Sequence, residues 1–238
     1  MKTIQNPKDR ILVALDVDNL EDALQLTRQL TGKVGGFKVG LELVNAAGFD
    51  VFTRLQDAGA ERIFYDAKFH DIPNTVAGAI RAVAKRGVWM VNVHASGGAA
   101  MLEAACEAAQ AGENPPLLIA VTVLTSIDQE TLNQNLRIPG TVAEQVAHLA
   151  RLSEQAGMDG VVASPQEVEL IYRTCSPNFV TVIPGIRPAG TAAHDQKRVA
   201  TPKTAMDAGA TYLVVGRAIT RAADPAQAAE QIAAELES

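Results

Sequence analysis

Short apolar runs alternate with amphipathic stretches from one end of the chain to the other. Near-continuous apolar segments occupy residues 10–16, 36–43, 62–69, 88–95, 117–124, 160–163, 179–183 and 212–215. Runs of that length, without strict alternation, mark strands buried on both faces, as in a parallel sheet. Helix-like segments fall at 20–30, 49–59, 75–86, 99–111, 141–155, 165–174, 203–208 and 226–237. Asn19, Thr201 before Pro202 and Asp224 before Pro225 are N-cap signals. Gly59 and Gly87 stand where helices should stop.

Strand–helix alternation predicts a parallel sheet. Eight such pairs with no composition shift between them predict a single (β/α)8 TIM barrel over residues 1–238. An open doubly wound sheet is the alternative. Its glycine-rich fingerprint after the first strand is missing, because Asp16-Val17-Asp18 stands there.

Composition narrows the class. Hydrophobic residues make up 47% of the chain, yet no apolar run approaches the ~18–20 residues of a membrane span. Residues 1–10 are polar and lack a signal-peptide core. The two cysteines, Cys106 and Cys175, form no metal-type pair and read as small packed thiols. The expectation is a cytoplasmic protein with no membrane partner. A net charge of −6 argues against nucleic-acid binding by bulk charge, but not against a local basic pocket.

The functional face of a barrel lies at the C-terminal ends of its strands. Two polar groups collect there. The first is Asp16, Lys38, Asp66, Lys68 and Asp71, from the first three strands. Asp66 and Lys68 share a face of their strand, being two residues apart. Carboxylates alternating with ammoniums keep one another ionised, and a lysine held among acids is placed as a proton donor. An ion-pair layer closing the barrel top is the structural alternative. The second group is basic: Arg187 in Pro184-Gly185-Ile186-Arg187-Pro188 and Arg217 after Gly216. Loops after strands seven and eight of barrels often hold phosphate. The long stretch 188–200, with Gly190, Thr191 and Gln196, is placed to act as a lid over it. His94 ends strand four and reads as a hydrogen-bonded histidine at the barrel mouth more readily than as a catalytic one. No histidine pair has metal-ligand spacing, so no metal site is expected.

The chain resembles the orotidine 5′-phosphate decarboxylase family along essentially its whole length. The resemblance rests on Leu15-Asp16, Phe37-Lys38-Val39-Gly40, Asp66-Ala67-Lys68-Phe69-His70-Asp71-Ile72-Pro73-Asn74-Thr75, Val121 to Ser126, the Arg187 motif and Val215-Gly216-Arg217. Residues 126–140 match least well. The resemblance implies decarboxylation of orotidine 5′-phosphate to UMP without any cofactor. It implies a charged catalytic array of Lys38, Asp66, Lys68 and Asp71, with Lys68 protonating C6. Asp16 and Lys38 would bind ribose hydroxyls, and Thr125 or Ser126 the pyrimidine. Arg187, Gln196, Gly216 and Arg217 would hold the phosphate. Asp71, Ile72 and Thr75 would complete the site shared across a homodimer.

Two rivals remain open. One is a magnesium-dependent sugar-phosphate decarboxylase or aldolase of the same superfamily, which places an acidic metal ligand on strand two. Lys38 disfavours it, because an ammonium cannot ligate Mg²⁺. The other is a non-catalytic barrel that binds a phosphometabolite, since fold alone never establishes function.

Overall fold

A computed structural model describes residues 4–188 and 200–236. Eight parallel strands close into a barrel in chain order. They are β1 (Ile11–Ala14), β2 (Gly36–Val39), β3 (Ile63–Phe69), β4 (Met90–His94), β5 (Leu117–Val121), β6 (Gly160–Val162), β7 (Val180–Ile183) and β8 (Tyr212–Val215). Leu12 pairs with Val214, which joins the last strand to the first. The helices are α1 (Leu20–Leu30), α2 (Leu41–Ala47), α3 (Val51–Asp57), α4 (Pro73–Ala84), α5 (Ala99–Gln110), α6 (Val142–Gln155), α7 (Val168–Thr174), α8 (Pro202–Asp207), α9 (Arg217–Thr220) and α10 (Pro225–Glu235).

The N-cap signals act as their chemistry requires. Asn19 Oδ1 accepts the Asp22 N–H at 2.9 Å, and Asp224 Oδ1 accepts that of Gln227 at 3.0 Å. Thr201 Oγ1 accepts the Thr204 N–H at 3.2 Å. Each satisfies a first-turn donor that has no partner inside its helix.

The period-two pattern of the strands divides the core. Ile11, Val13, Val91, Val93, Leu213 and Val215 face outward into the shell beneath the helices. Leu12, Ala14, Phe64, Met90, Ile119, Val180, Val182, Tyr212 and Val214 face inward and fill the barrel. Both sets are buried, which explains why the strands carry no polar alternation. The inward set forms a floor, and the next inward positions toward the strand ends are Asp16, Lys38, Asp66 and Asn92.

Two expectations are corrected. Strand two does not run to residue 43: it ends at Val39, and Leu41–Ala47 is helical with Gly40 as its cap. Leu43 and Val44 are buried while Leu41 and Glu42 are exposed, so the apolar run there serves a helix face. The helix expected over 49–59 is accordingly shorter, Val51–Asp57. Within the connection after strand five, Thr131–Asn135 forms a π-helical turn with Leu132 buried. A short helix, α9, also intervenes between β8 and the terminal helix.

Gly160 shows how tightly the barrel closes. A Cβ there would lie 2.1 Å from the Val180 carbonyl oxygen, which belongs to fixed strand backbone. Gly160→Ala is therefore expected to destabilise the fold by about 1–3 kcal/mol. Urea unfolding of the variant beside the wild type checks this, and unchanged stability would contradict it.

Candidate active site

The strand ends surround a cavity of about 470 Å³ at the barrel mouth. Its floor is apolar, formed by Phe64, Val121, Val162, Val182 and Val214. Asp16, Lys38, Asp66 and Lys68 reach it from the ends of β1, β2 and β3, and Gly185, Arg187, Gly216 and Arg217 from the loops after β7 and β8. Such a pocket, apolar below with converging charged groups at its rim, is suited to a small molecule that carries polar and anionic groups.

The four charged residues form a continuous chain. Lys38 Nζ donates to Asp16 Oδ1 at 2.9 Å and lies 3.5 Å from Asp66 Oδ2. Lys68 Nζ donates to Asp66 Oδ1 at 2.6 Å. The Lys38 and Asp66 side chains are only 10% and 15% exposed, against 31% for Lys68 and 57% for Asp16. The buried centre of the array is therefore the Lys38–Asp66 pair, with Lys68 open to the cavity.

Electrostatics keep the buried Lys38–Asp66 pair ionised. Burial alone would push Asp66 toward its neutral acid. Lys38 and Lys68, with hydrogen bonds from Lys68 and Asn92, outweigh that and hold its pKa below the ordinary value. Burial likewise favours neutral Lys38, but Asp66 and Asp16 overcome it and raise its pKa. His94 is driven toward its neutral form by burial, then by His70 and Lys68, against the opposing pull of Asp66.

Lys68 carries a second mark of function. Its φ is +52°, in the left-handed region that costs a residue with a side chain about 1–2 kcal/mol. Such strain persists only where surrounding contacts enforce it, typically at functional sites. The backbone N–H of Lys68 donates to Asn92 Oδ1 at 2.7 Å. Asn92 Nδ2 donates to Asp66 Oδ1, also at 2.7 Å. Asn92 is absent from the candidate residues read in the sequence. The available signal was an amide in the middle of an apolar strand, in phase with Met90 and His94.

The anion side is built on the loops after β7 and β8. Gly185 has φ +79°, which only glycine adopts freely, and turns the chain from β7 toward Arg187. The Arg187 N–H donates to the Ala200 carbonyl at 3.0 Å, and the Ala200 N–H to that of Gly185 at 3.3 Å. These bonds pin together the two ends of the segment that the sequence suggests as a lid. Gly190, Thr191 and Gln196 lie outside the described residues.

Among the other expected residues, Thr125 lines the cavity but Ser126 is exposed and does not. Asp71, Ile72 and Thr75 are exposed and lie outside the cavity of their own chain. Asp71 Oδ1 accepts the Ile72 N–H at 2.6 Å. His94 does not show the expected side-chain hydrogen bond among the described residues. Its ring packs on His70 instead, with centroids 5.4 Å apart.

Comparison with known proteins sharpens this picture. The model of the orotidine 5′-phosphate decarboxylase / HUMPS family matches residues 9–232. An orotidine 5′-phosphate decarboxylase of Moorella thermoacetica is 53% identical over 235 residues, covering 97% of this chain and 93% of that protein. One of Dichelobacter nodosus is 53% identical over 226 residues, covering 95% and 98%. The crystal structure of orotidine 5′-phosphate decarboxylase from Lactobacillus acidophilus superposes with a TM-score of 0.85 at 40% identity, covering 96% of this chain and 99% of that one.

The array makes stability depend on pH in a definite direction. Asp66 has a lower pKa folded than unfolded, so its contribution is complete above 3.8 and disappears as pH falls through the folded value. Lys38 behaves oppositely: its contribution is complete below 10.5 and is lost as pH rises through the higher folded value. In urea unfolding, the wild type is expected to lose stability relative to Asp66→Asn as the pH drops below about 4. A difference independent of pH would contradict the assignment.

Proposed function

Because the chain belongs to the orotidine 5′-phosphate decarboxylase / HUMPS family, we propose that its charged barrel mouth removes CO₂ from orotidine 5′-phosphate and yields UMP. The observation that carries this reading is the unbroken chain Asp16–Lys38–Asp66–Lys68, with the Lys68 ammonium open to the cavity.

The substrate's phosphate sits against Arg187, Arg217 and the backbone at Gly216, with Gln196 as a further donor. Asp16 and Lys38 engage the ribose hydroxyls. The pyrimidine lies on the Phe64 and valine floor, with Thr125 at its edge. Breaking the C6–carboxylate bond leaves an electron pair on C6, with no π system aligned to spread it. A fixed positive charge beside C6 therefore lowers the barrier without needing to reorganise during the reaction. Lys68 supplies that charge, then gives its proton to C6 and recovers one from solvent. Asp66 holds the Lys68 ammonium in place through their 2.6 Å hydrogen bond. Phosphate contacts remote from C6 contribute by orienting the ring and favouring closure of the loop above it.

We further propose a cytoplasmic homodimer in which Asp71, Ile72 and Thr75 of each subunit complete the other's site. Ile72 is 67% exposed, high for a large apolar side chain beside a charged cavity. In this reading UMP formation is the closing step of pyrimidine nucleotide synthesis. The magnesium-dependent alternative is disfavoured by the donor set. Strand two offers the Lys38 ammonium, already bonded to both neighbouring acids, rather than an oxygen ligand.

EDTA-treated protein is expected to convert orotidine 5′-phosphate to UMP, followed by absorbance, and Lys68→Ala to lose that turnover while still binding UMP. Turnover appearing only with Mg²⁺ and a sugar phosphate would overturn the assignment. Arg217→Ala is expected to lower kcat/KM at least ~100-fold, as befits loss of a charged contact to phosphate, with little change in melting temperature. Unchanged kcat/KM would remove Arg217 from the phosphate site.

A further inference from the structure

We infer that Asn92 is the positioning residue that holds Lys68 and Asp66 in their working geometry, an inference that rests on the decarboxylase reading above. The register between β3 and β4 is irregular. Tyr65 pairs with Val91 and Phe69 with Val93, so four steps along β3 match two along β4. The surplus residues bulge, and the bulge carries Asp66 and Lys68 at the cavity. Bulges next to active sites re-aim side chains in this way and leave part of the ladder unpaired.

Asn92 repairs the interruption. It is fully buried, with 0% exposure, on an inward position of β4. Its Oδ1 takes the Lys68 N–H in place of a ladder carbonyl, while its Nδ2 donates to the same Asp66 oxygen that accepts from Lys68 Nζ. One primary amide thus fixes both the backbone of Lys68 at φ +52° and the carboxylate that orients its ammonium. The task needs an acceptor and a donor on one short side chain, which an amide provides at any pH. A carboxylate lacks the donor, a hydroxyl is too short to span both, and an alkyl group has neither. Asn92 does not line the cavity, so it acts through its neighbours and does not touch the substrate.

Asn92→Asp is a sharp probe because it preserves shape. The introduced carboxylate would face Asp66, whose charged neighbours are Lys38 on β2, Lys68 on its own strand and His94 on β4, with Asp16 beyond Lys38 and His70 against His94. Two facing carboxylates hold one proton between them as the pH falls, and that proton restores the missing donor. At about pH 8 the variant is expected to lose ~100-fold in kcat with KM changed much less, as misplacement of reacting groups produces. Its kcat should partly recover toward about pH 5.5. Asn92→Ala should lose kcat without that acid recovery. The wild-type profile is the reference for titration of His94 and His70.

Should the buried carboxylate prevent folding, Asn92→Ser replaces it: reduced kcat with UMP affinity retained supports the inference, and full kcat overturns it. The crystal structure of Asn92→Ala supplies a readout independent of turnover. Lys68 is expected to leave the left-handed region in that variant. A retained φ near +52°, or wild-type kcat and pH profile in Asn92→Asp, would overturn the inference. Absence of turnover in the wild type would instead overturn the decarboxylase reading, and the Lys68 backbone would still decide the role of Asn92.

Discussion

The site depends on keeping the Lys38 ammonium charged at the edge of an apolar barrel interior. A lysine that is 10% exposed would ordinarily shed its proton. Here Asp66 and Asp16 bracket it, and the same Asp66 carboxylate then reaches Lys68. Lys38 and Asp66 each keep the other ionised, and hydrogen bonds to Asp16 and Lys68 tie the four into one array. Taking one member away leaves an uncompensated charge in a site with little water, the expensive way to break a buried ion pair. In the proposed reaction this interdependence supplies a field fixed before substrate arrives, which need not be assembled during the reaction.

The barrel supplies the geometry for that field. Parallel strands end on one face, so side chains two residues beyond the core-filling positions meet there regardless of their distance in sequence. Ala14 leads to Asp16, Phe64 to Asp66 and Met90 to Asn92. The apolar floor below keeps the dielectric low, which strengthens the charges above it. From the neighbouring strands, the turn at Gly185 and the segment from Gly216 to Arg217 bring Arg187 and Arg217 to the same cavity.

Much of this was legible in the sequence because period-two burial and strand-end position are local properties. The alternation of apolar runs and helical stretches implied the barrel, and Asp16, Lys38, Asp66 and Lys68 stood at strand ends. Asn92 was not legible as a partner, since its role comes from a two-residue register surplus between β3 and β4 that no local pattern encodes. The first residues of the helix Leu41–Ala47, up to Leu43, read as strand because Leu41 and Leu43 extend the apolar run of β2 across Gly40. Asp71 was grouped with the strand-end charges by its position, but it lies outside its own chain's cavity, and for Ile72 and Thr75 only a resemblance suggests a use.

The central claim is that the array makes a C6 carbanion accessible and that Lys68 moves the proton. The reverse of the final step tests it directly: exchange of the C6 hydrogen of bound UMP with solvent deuterium, followed by NMR. Wild-type protein is predicted to catalyse the exchange and Lys68→Ala to lose it. Exchange at the same rate in both proteins, or none in a wild type that binds UMP, would contradict the account.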